Sequence, residues 1–500
     1  MLMKHFFSAM LLCAVPIWLS ADDFKDHLTG TELTFEVSGT ASSGDFAPFW
    51  LTSNRYGLAS VRPYSNYERA RVERDIRLDS DKTWKLGYGL DLALAFGHER
   101  YGIVQQAYIE GAWKKIRLTL GSKQQPMEAQ NAELSSGALL FGINARPIPQ
   151  ARLDIDWFAF PGTKGWWQWK LNGSFGWMTD GHWQESWAVP TTRYARHVLY
   201  HEKALYWQFG RTDVLPLTFE IGLRMATEFG GTSYNVQTDR LAVDPVFKHD
   251  SGFKAYWQSL TMQGSDATDG NDPNVAGNHL GSWLLQLKYH GSQWQAKAYF
   301  ERFFEDHSML TVQYGIRDML IGGEVSLPRN RVVSTAVLEF MNSTHQSGPV
   351  FHDPTQTLPD HIAARDNYYN HLNYTGWQHY GLTLGNPFLT SPLYNAAFGR
   401  DHQLVFFNNR VKAWHVGLSG DPADDWHWRT LLSFSRNWGT YDIPLPDMLR
   451  QTSVMAEVTY TPRFARGWQA SAGIAYDHGK LLGNSFGGQL TIRKQIQLTK

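Results

Sequence analysis

The sequence predicts an all-β fold, an antiparallel β-barrel that spans the outer membrane. In the stretch from Trp84 to Gly97, large apolar residues alternate with small or charged ones. A strand, with its period of two, separates these residues into two faces, whereas a helix would mix them. Trp84 and Phe96 lie at the two ends of the apolar face, where barrel strands carry aromatic girdles. The chain also combines 14% aromatic residues with a mean hydropathy of -0.38, which fits a wall that is apolar on one side only.

The same alternation recurs along the whole chain. It gives roughly 15 to 19 candidate strands, each near the ~10 residues that a tilted strand needs to cross the hydrocarbon layer. No apolar stretch of about 18 residues lies beyond the N-terminus, so the sequence excludes transmembrane helices. The predicted strands are 32–39, 67–78, 84–97, 102–113, 116–123, 152–158, 167–177, 217–228, 282–290, 294–303, 313–327, 331–342, 402–417, 426–438, 451–461, 468–478 and 487–498.

Three segments interrupt this pattern, namely 46–57, 127–150 and 368–388. Each places Asn, Arg or His among aromatic residues and does not alternate, so none of them is expected to cross lipid. We expect them to lie inside the barrel or to cover it, as plug-like internal segments with little helix. Two other interruptions, 261–278 and 343–366, are rich in Pro, Gly or Asp and are predicted to be long loops.

The N-terminus is typical of an exported protein. Residues 1–21 have Lys4 before an apolar run and a small-residue cleavage site at Ser20-Ala21, so they predict a signal peptide. Residues 22–500 are then expected to form a single barrel domain. The only cysteine is Cys13, which leaves the mature chain without disulfides; acylation of Cys13 as a lipoprotein is the alternative. The 46 Lys and Arg nearly balance the 47 Asp and Glu, and no basic run indicates a nucleic-acid partner.

Motifs for catalysis and metal binding are weak. His197 and His201 have the spacing of a zinc pair but lack the Glu of HExxH, and as strand residues they would share an interior face. The stretch from Asp266 to Asp272 is rich in oxygen ligands but lacks the final Glu of an EF-hand, so a solvated turn is favoured over calcium. One G-x-S-x-G string occurs, at 483–487, but it leads into the predicted strand 487–498 and not into a helix, so it lacks the strand–turn–helix context of a nucleophile elbow. We therefore expect no metal, no cofactor and no catalytic residues.

Several strings in the expected order resemble the Wzi-type capsule-assembly outer-membrane proteins. They are FAPFWLTSNRYGL, SKQQPMEAQNAELSSGALLFGINARPIPQ, YYNHLNYTGWQHYGLTLGNPF and NNRVKAWHVGL…SFSRNWGTY, within a match from about residue 32 to 498. The resemblance implies an eighteen-stranded barrel, closed by internal segments, with a lectin-like and non-catalytic role toward capsular polysaccharide. One departure is the C-terminus, which ends in Leu498-Thr499-Lys500 and not in the aromatic residue that ends many outer-membrane barrels.

Composition and these strings together give the candidate polysaccharide-binding residues. Aromatic rings stack on the C–H faces of sugars, and amides, carboxylates and Arg bind their hydroxyl or acidic groups. Arg146 and Glu128 could equally form a structural pair that holds a plug segment. The candidates are Arg55, Glu128, Asn144, Arg146, His371, Trp377, Asn386, Arg410 and Trp438.

The leading hypothesis is a lectin in the outer membrane of a Gram-negative bacterium that binds capsular or other surface polysaccharide and helps to assemble or anchor it. We expect a monomer, with outer-membrane lipid and the capsule export machinery as further partners. Two alternatives stay open at this point. One is a porin or substrate-specific channel; the other is an outer-membrane hydrolase or acyltransferase that uses barrel His and Ser residues.

Overall fold

The computed structural model describes residues 30–79, 83–178, 180–235, 246–263, 277–305, 316–352, 356–357 and 362–498. The predicted signal peptide and the Asp266–Asp272 loop lie outside these residues. Eighteen long strands dominate the described chain. They are β1 (Thr31–Ser42), β2 (Tyr64–Arg77), β3 (Trp84–Phe96), β4 (Gly102–Trp113), β5 (Ile116–Ser122), β6 (Gln150–Ala159), β7 (Trp167–Trp177), β8 (Leu199–Phe209), β9 (Leu217–Phe229), β10 (Asn278–His290), β11 (Gln295–Glu305), β12 (Met319–Ser326), β13 (Thr335–Asn342), β14 (Val411–Ala423), β15 (Trp426–Gly439), β16 (Pro444–Tyr460), β17 (Trp468–Gly479) and β18 (Ser485–Gln497).

The strands form one closed antiparallel barrel. Each strand pairs with its neighbours in sequence, and β18 pairs with β1 through contacts such as Phe35 with Lys494. Closure matters because an unpaired strand edge inside lipid would leave backbone N–H and C=O groups without partners. The barrel and its antiparallel order are therefore as the sequence predicts, and eighteen strands match the number implied by the family resemblance.

Strand β3 shows how the alternation builds the wall. Leu90, Leu92 and Leu94 are 43%, 43% and 59% exposed on the outer face, whereas Asp91 and Ala95 are buried on the inner face. Outward-facing aromatic pairs lie at one end of the barrel and form an interfacial girdle. Examples are Trp84–Trp113, Trp426–Tyr460 and Tyr289–Trp294, with ring centroids 5.9, 4.5 and 4.5 Å apart.

The two ends of the barrel differ in the length of their connections. At the end that holds residues 30 and 498, the turns are short, for example 114–115 and 424–425. At the opposite end the connections include 43–63, 123–149, 178–198, 230–277 and 343–410. Outer-membrane barrels have short periplasmic turns and longer extracellular loops. We therefore assign the short-turn end to the periplasm and the long-loop end to the cell exterior.

Long segments fold back into the lumen and occupy it. Residues 46–61, 124–149 and 366–409, here called the plug, contribute many of the most deeply buried side chains, including Trp50, Leu140, Tyr369 and Trp377. These side chains pack with inward-facing wall residues such as Tyr200 in a common hydrophobic cluster. The plug holds a short helix, α1 (Phe49–Thr52), and a 3-10 helix (Pro392–Phe398). The three segments that do not alternate are thus the plug, as predicted.

Some boundaries differ from the prediction. Strand β8 was not predicted, and β14 begins at Val411 and not at residue 402, because residues 402–410 belong to the plug. Glu202 of β8 faces the lumen, where it pairs with Arg152, so the adjacent His201 faces the outer side of the strand. The His201 ring stacks on that of Phe175, with the ring centroids 4.3 Å apart. The interior His197–His201 pair is therefore wrong: His197 precedes β8 with a φ of 56° and does not share the strand's alternation.

Two further helices, α2 (Trp183–Trp187) and α3 (Phe253–Thr261), lie in the extracellular connections. Short strands at Tyr194–Arg196, Thr232–Tyr234 and Val246–Lys248 form a small sheet there. Among the described residues, the helices are all too short or too polar to cross a bilayer.

Candidate functional site

Inward-facing acidic residues of the wall hold the plug. The Glu301 carboxylate accepts hydrogen bonds from the backbone N–H of Leu139 and Leu140 at 2.8 and 3.2 Å, and from Gln130 at 3.0 Å. Glu339 accepts one from the Ser136 N–H at 2.6 Å, and Asp477 one from the Phe49 N–H at 2.8 Å. A carboxylate buried with several N–H donors is stabilised, and its removal would leave those donors without partners. These wall charges therefore position the plug.

Three candidate binding residues are packed inside this plug. Trp377 is fully buried, and its indole N–H donates to the Leu140 carbonyl at 2.8 Å. Asn386 is also fully buried and donates to the Gly137 carbonyl at 2.7 Å, while Asn144 accepts from the Asn54 N–H at 3.0 Å. A polysaccharide has no access to these groups, so we assign them to packing. A segment rich in aromatic and amide residues has the same composition whether its side chains face a ligand or pack in an interior, so composition alone does not separate the two roles.

Arg55 lies apart from Arg410 and Trp438, whose backbones are joined by a hydrogen bond from the Trp438 N–H to the Arg410 carbonyl at 3.0 Å. Arg55 forms an ion pair with Glu457 of the wall at 3.1 Å. The Arg410 guanidinium lies 3.9 Å from the ring centroid of Tyr441 at the extracellular rim. Trp438 is half-buried at the end of β15. Its side chain faces outward, because the side chain of the neighbouring Asn437 faces the lumen and accepts a hydrogen bond from the plug residue Asn408 at 2.9 Å. The structure thus does not bring these three residues into one site.

Glu128 and Arg146 do not pair with each other. Glu128 forms an ion pair with Lys170; burial opposes its charge, but Lys170 and other cations lower its pKa overall. Arg146 is 7% exposed, and its guanidinium lies 4.5 Å from the ring centroid of Tyr380. Burial lowers the pKa of Arg146 to about 10, against the opposing charge of Glu99. The proposed Arg146–Glu128 pair is therefore wrong, while both residues keep charged groups beside open space.

His371 lies near the outer end of the plug, with its ring 5.3 Å from that of Tyr374. Its Nδ1 accepts a hydrogen bond from the Asn373 N–H at 3.1 Å, which requires an unprotonated nitrogen. Burial and the nearby charge of Arg193 lower the pKa of His371 to about 3. The side chain is therefore a neutral hydrogen-bonding group at physiological pH.

A cluster of aromatic side chains, here called the aromatic platform, lies among the extracellular connections. Trp183 and Trp187 stack in α2 at 5.1 Å, and Trp187 lies 4.7 Å from His402. The parallel rings of Tyr194 and Tyr234 are 4.7 Å apart on neighbouring strands of the small sheet. The platform comprises Trp183, Trp187, Tyr194, Tyr234, Tyr380 and His402.

Cations border the platform. The Arg196 guanidinium lies 5.6 Å from the Tyr234 ring centroid and forms an ion pair with Glu185 of α2, which links the two groups of rings. Arg146 covers Tyr380, as described above. Trp183 is buried, whereas Trp187 and the three tyrosines are half-buried and His402 is exposed. The platform therefore combines a fixed base, which includes the buried Arg146, with accessible ring faces and the half-buried guanidinium of Arg196.

Arg146 is the one residue of this site that is also among the candidates predicted from the sequence. The four-residue spacing of Trp183 and Trp187 places them on one helix face and could have indicated a stacked pair. The pairing of Tyr194 with Tyr234 depends on two short strands separated by 35 residues. No local pattern reports such a contact.

A cavity of about 380 Å³ lies at the opposite end of the lumen, between the plug and the wall strands β4–β9. Its lining includes the exposed Lys114 and Lys115 of the β4–β5 turn and the exposed Arg117 at the start of β5, so it opens toward the periplasm. Its inner end is formed by plug residues such as Phe141 and Leu384. We call it the periplasmic cavity.

The class of protein is thus a plugged outer-membrane β-barrel. Among solved structures, the chain is similar to Wzi of Escherichia coli, an outer-membrane protein that is involved in group 1 capsule assembly and is a carbohydrate-binding β-barrel. The TM-score is 0.54 and the sequence identity is 13%, and the match covers 96% of this chain and 86% of that chain. It is also similar to OprD of Pseudomonas aeruginosa (TM-score 0.44, 9% identity, 94% and 95% covered) and to OccAB4 of Acinetobacter baumannii (0.43, 10%, 94% and 99%). No family model and no curated protein sequence matches the chain. At these identities the similarity to Wzi shows the fold.

Proposed function

We propose that this protein is a non-catalytic member of the Wzi-type family that binds capsular or other surface polysaccharide at its extracellular end and anchors it to the cell. The observation that carries the proposal is the aromatic platform. Its half-exposed rings lie beside Arg146 and Arg196 at the end of the barrel that faces the cell exterior.

The chemistry of the platform suits a sugar polymer. Ring faces such as those of Trp187 and Tyr380 bind the C–H surfaces of pyranose rings, and guanidinium groups bind hydroxyl or carboxylate oxygens in a directed way. Several stacked rings offer contacts to successive sugar units, so weak individual contacts add up along one chain. Of the residues proposed from the sequence, Arg146 is retained in this site, and His371 lies near it on the outer part of the plug.

The plug favours binding of a polymer at the surface over its passage through the barrel. Its segments are fixed to the wall by buried hydrogen bonds to Glu301, Glu339 and Asp477. Opening a wide path would break these bonds and expose a hydrophobic cluster, both of which cost free energy. A retained polymer needs no such path. The carbohydrate binding of Escherichia coli Wzi, which has a similar fold, further supports the proposal.

Deletion of the gene tests this function directly. The amounts of polysaccharide bound to cells and shed into the medium are measured in the parent and the deletion strain. We expect shedding to rise while total synthesis stays constant. Unchanged retention would remove polysaccharide anchoring as the main function.

The alternative is a substrate-specific channel, and the periplasmic cavity is the observation that favours it, since it occupies part of the lumen. Single-channel conductance in planar bilayers separates the two functions. A closed barrel gives no steady current, whereas a stable open current at low voltage would favour the channel.

A further inference from the structure

We infer that the periplasmic cavity is a second glycan site, which binds one acidic sugar unit that enters from the periplasm. The inference goes beyond the proposed anchoring at the extracellular end and depends on that function only in taking a glycan as the ligand.

The first argument is the charge of the cavity lining. Eight Lys and Arg but four Asp and Glu line the cavity, whereas the whole chain has a net charge of -1. Low-dielectric walls concentrate the field of such an excess and attract anions.

The second argument is a buried cation at the inner end that has N–H groups without hydrogen-bond partners. Arg224 is 4% exposed, and its Nε and Nη1 atoms have no hydrogen-bond partner. It lies 4.6 Å from the Phe141 ring centroid and lines the cavity. Burial of guanidinium N–H groups without acceptors is costly. A carboxylate in the cavity would supply an acceptor to one of these nitrogens in a charge-assisted hydrogen bond.

Two neighbouring cations of the wall, Arg152 and Lys170, are already paired, unlike Arg224. Arg152 bonds to Asp154 and Glu202, at 2.9 Å in each case. Lys170 forms its ion pair with Glu128. These pairs fix the walls of the cavity but leave their own charges largely neutralised. Arg224 is thus the buried cation of this group that retains donors for a ligand.

The third argument concerns hydroxyl groups. The side-chain oxygens of Gln150 and Asn172 are also buried without a hydrogen-bond partner, and both residues line the cavity. Amide oxygens accept from O–H donors and not from a carboxylate. A ligand that satisfies all three residues carries an anionic group and hydroxyl groups together. An acidic sugar has this combination, and its size suits a cavity within the ~300–1,000 Å³ range of small-ligand sites.

The exposed cations of the β4–β5 turn and of the start of β5 provide the approach. Lys114, Lys115 and Arg117 lie at the periplasmic mouth. Charges in this position raise the rate of association and make it dependent on salt. An acidic glycan in the periplasm would therefore be captured at the mouth and held by Arg224 further in.

Calorimetric titration of the full-length protein in detergent with trigalacturonate tests the site. Maltotriose serves as the neutral probe and inorganic phosphate as the small anion. We expect trigalacturonate to bind at least tenfold more tightly than either, and Arg224→Gln to abolish this preference. Equal binding of trigalacturonate and maltotriose would overturn the inference, and so would phosphate binding as tight as that of trigalacturonate.

Control variants separate this site from others and from misfolding. Arg429→Gln removes an inward-facing cation that pairs with Glu457 and does not line the cavity, so it should leave binding unchanged. Lys114→Gln combined with Lys115→Gln changes only exposed residues and should slow association. If Trp187→Ala abolished trigalacturonate binding while Arg224→Gln did not, the cavity site would be refuted and the platform retained.

A second inference concerns helix α3, which lies on the outside of the barrel. Ala255 and Tyr256 pack on Phe175, Leu199 and Phe229 of the outer wall. On the opposite side of the helix, Phe253, Trp257 and Leu260 are 86%, 54% and 40% exposed. Residues at these spacings share one helix face.

We propose that this exposed face lies in the outer leaflet of the membrane, with lipid acyl chains as its occupant. The face is continuous with the lipid-facing wall of β7–β9 near its extracellular end. Apolar helices of this kind lie in the interface plane. Trp257 is suited to that depth, since its ring has both apolar and polar parts.

Spin labelling in proteoliposomes tests this placement. A nitroxide is attached at Phe253→Cys, Trp257→Cys or, as a control on the side of the same helix, Lys254→Cys, each with Cys13→Ser. Oxygen, which partitions into lipid, should accelerate the spin relaxation of the labels at 253 and 257 more than a water-soluble nickel complex does. For the label at 254, the nickel complex should have the larger effect. Equal access of the nickel complex to all three labels would contradict the proposal.

Discussion

At the extracellular end of this barrel the candidate site is made of stacked rings with cations beside them, and at the periplasmic end it is made of charges around a cavity. The rings of the platform are held by short local elements, α2 and the small sheet, and remain half-exposed. The cations of the cavity project from the wall strands and are mostly paired or buried. The plug lies between the two, and its residue Arg146 both contacts Tyr380 of the platform and lines the cavity. On the proposals made above, the two ends would bind different features of a glycan, mainly its ring faces outside and its charge inside.

The largest effect is expected for Glu301→Ala, which removes the wall carboxylate that binds three plug donors. Each buried donor left without a partner costs about 1–3 kcal/mol, so the plug should detach from the wall and connect the two ends. Planar-bilayer recordings should then show current that the wild type lacks. Glu220→Ala is the matched control, because Glu220 bonds only to the wall residues Gln286 and Lys288. Current in both variants, or in neither, would argue against plug anchoring by Glu301.

Trp377→Ala should reduce stability by about 3–5 kcal/mol, because it removes a large, fully buried side chain from the lumen. The temperature of unfolding in detergent measures this loss. Trp414→Ala, at a lipid-facing position that is 53% exposed, should change it far less. A stable Trp377→Ala protein with lost glycan binding would instead restore Trp377 to the binding site.

A smaller effect is expected for Trp187→Ala at the platform. Loss of one stacked ring is worth about 0.5–1.5 kcal/mol, or roughly twofold to tenfold in affinity. The fraction of polysaccharide retained on cells that carry the variant should fall, with the unfolding temperature nearly unchanged. Retention equal to that of the wild type would remove Trp187 from the site.

A further effect, on stability and not on affinity, is a loosening of the extracellular end in acid. Burial and nearby arginines lower the pKa of His371 to about 3 and of His98 to about 4, and burial alone lowers that of His249 to about 4. In the unfolded chain these groups take up protons near pH 6.5. Their contribution to stability is therefore complete above pH 6.5 and declines as the pH falls toward 4. Hydrogen exchange, corrected for intrinsic rates, should show faster opening of the extracellular connections at pH 5 than at pH 7, with the periplasmic turns unaffected.

The barrel and the position of the plug could be predicted from the sequence because both depend on local periodicity. Alternation in β3 is a property of consecutive residues, and the plug segments are recognised by its absence. The site depends on contacts between distant segments. Arg146 meets Tyr380 and Tyr194 meets Tyr234 only after the long connections fold over the barrel. Composition does not distinguish an aromatic or amide side chain that faces a ligand from one that packs in an interior, which is why the sequence predicts Trp377 and Asn386 as binding residues.

The most direct test is equilibrium binding of the cell's own purified surface polysaccharide to the purified protein, wild type and Trp187→Ala combined with Tyr234→Ala. Binding by the wild type that falls at least tenfold in the double variant, with an unchanged unfolding temperature, is the predicted result. Equal affinity of the two proteins for the polymer, or no binding by the wild type, would contradict the proposal that the extracellular platform anchors it.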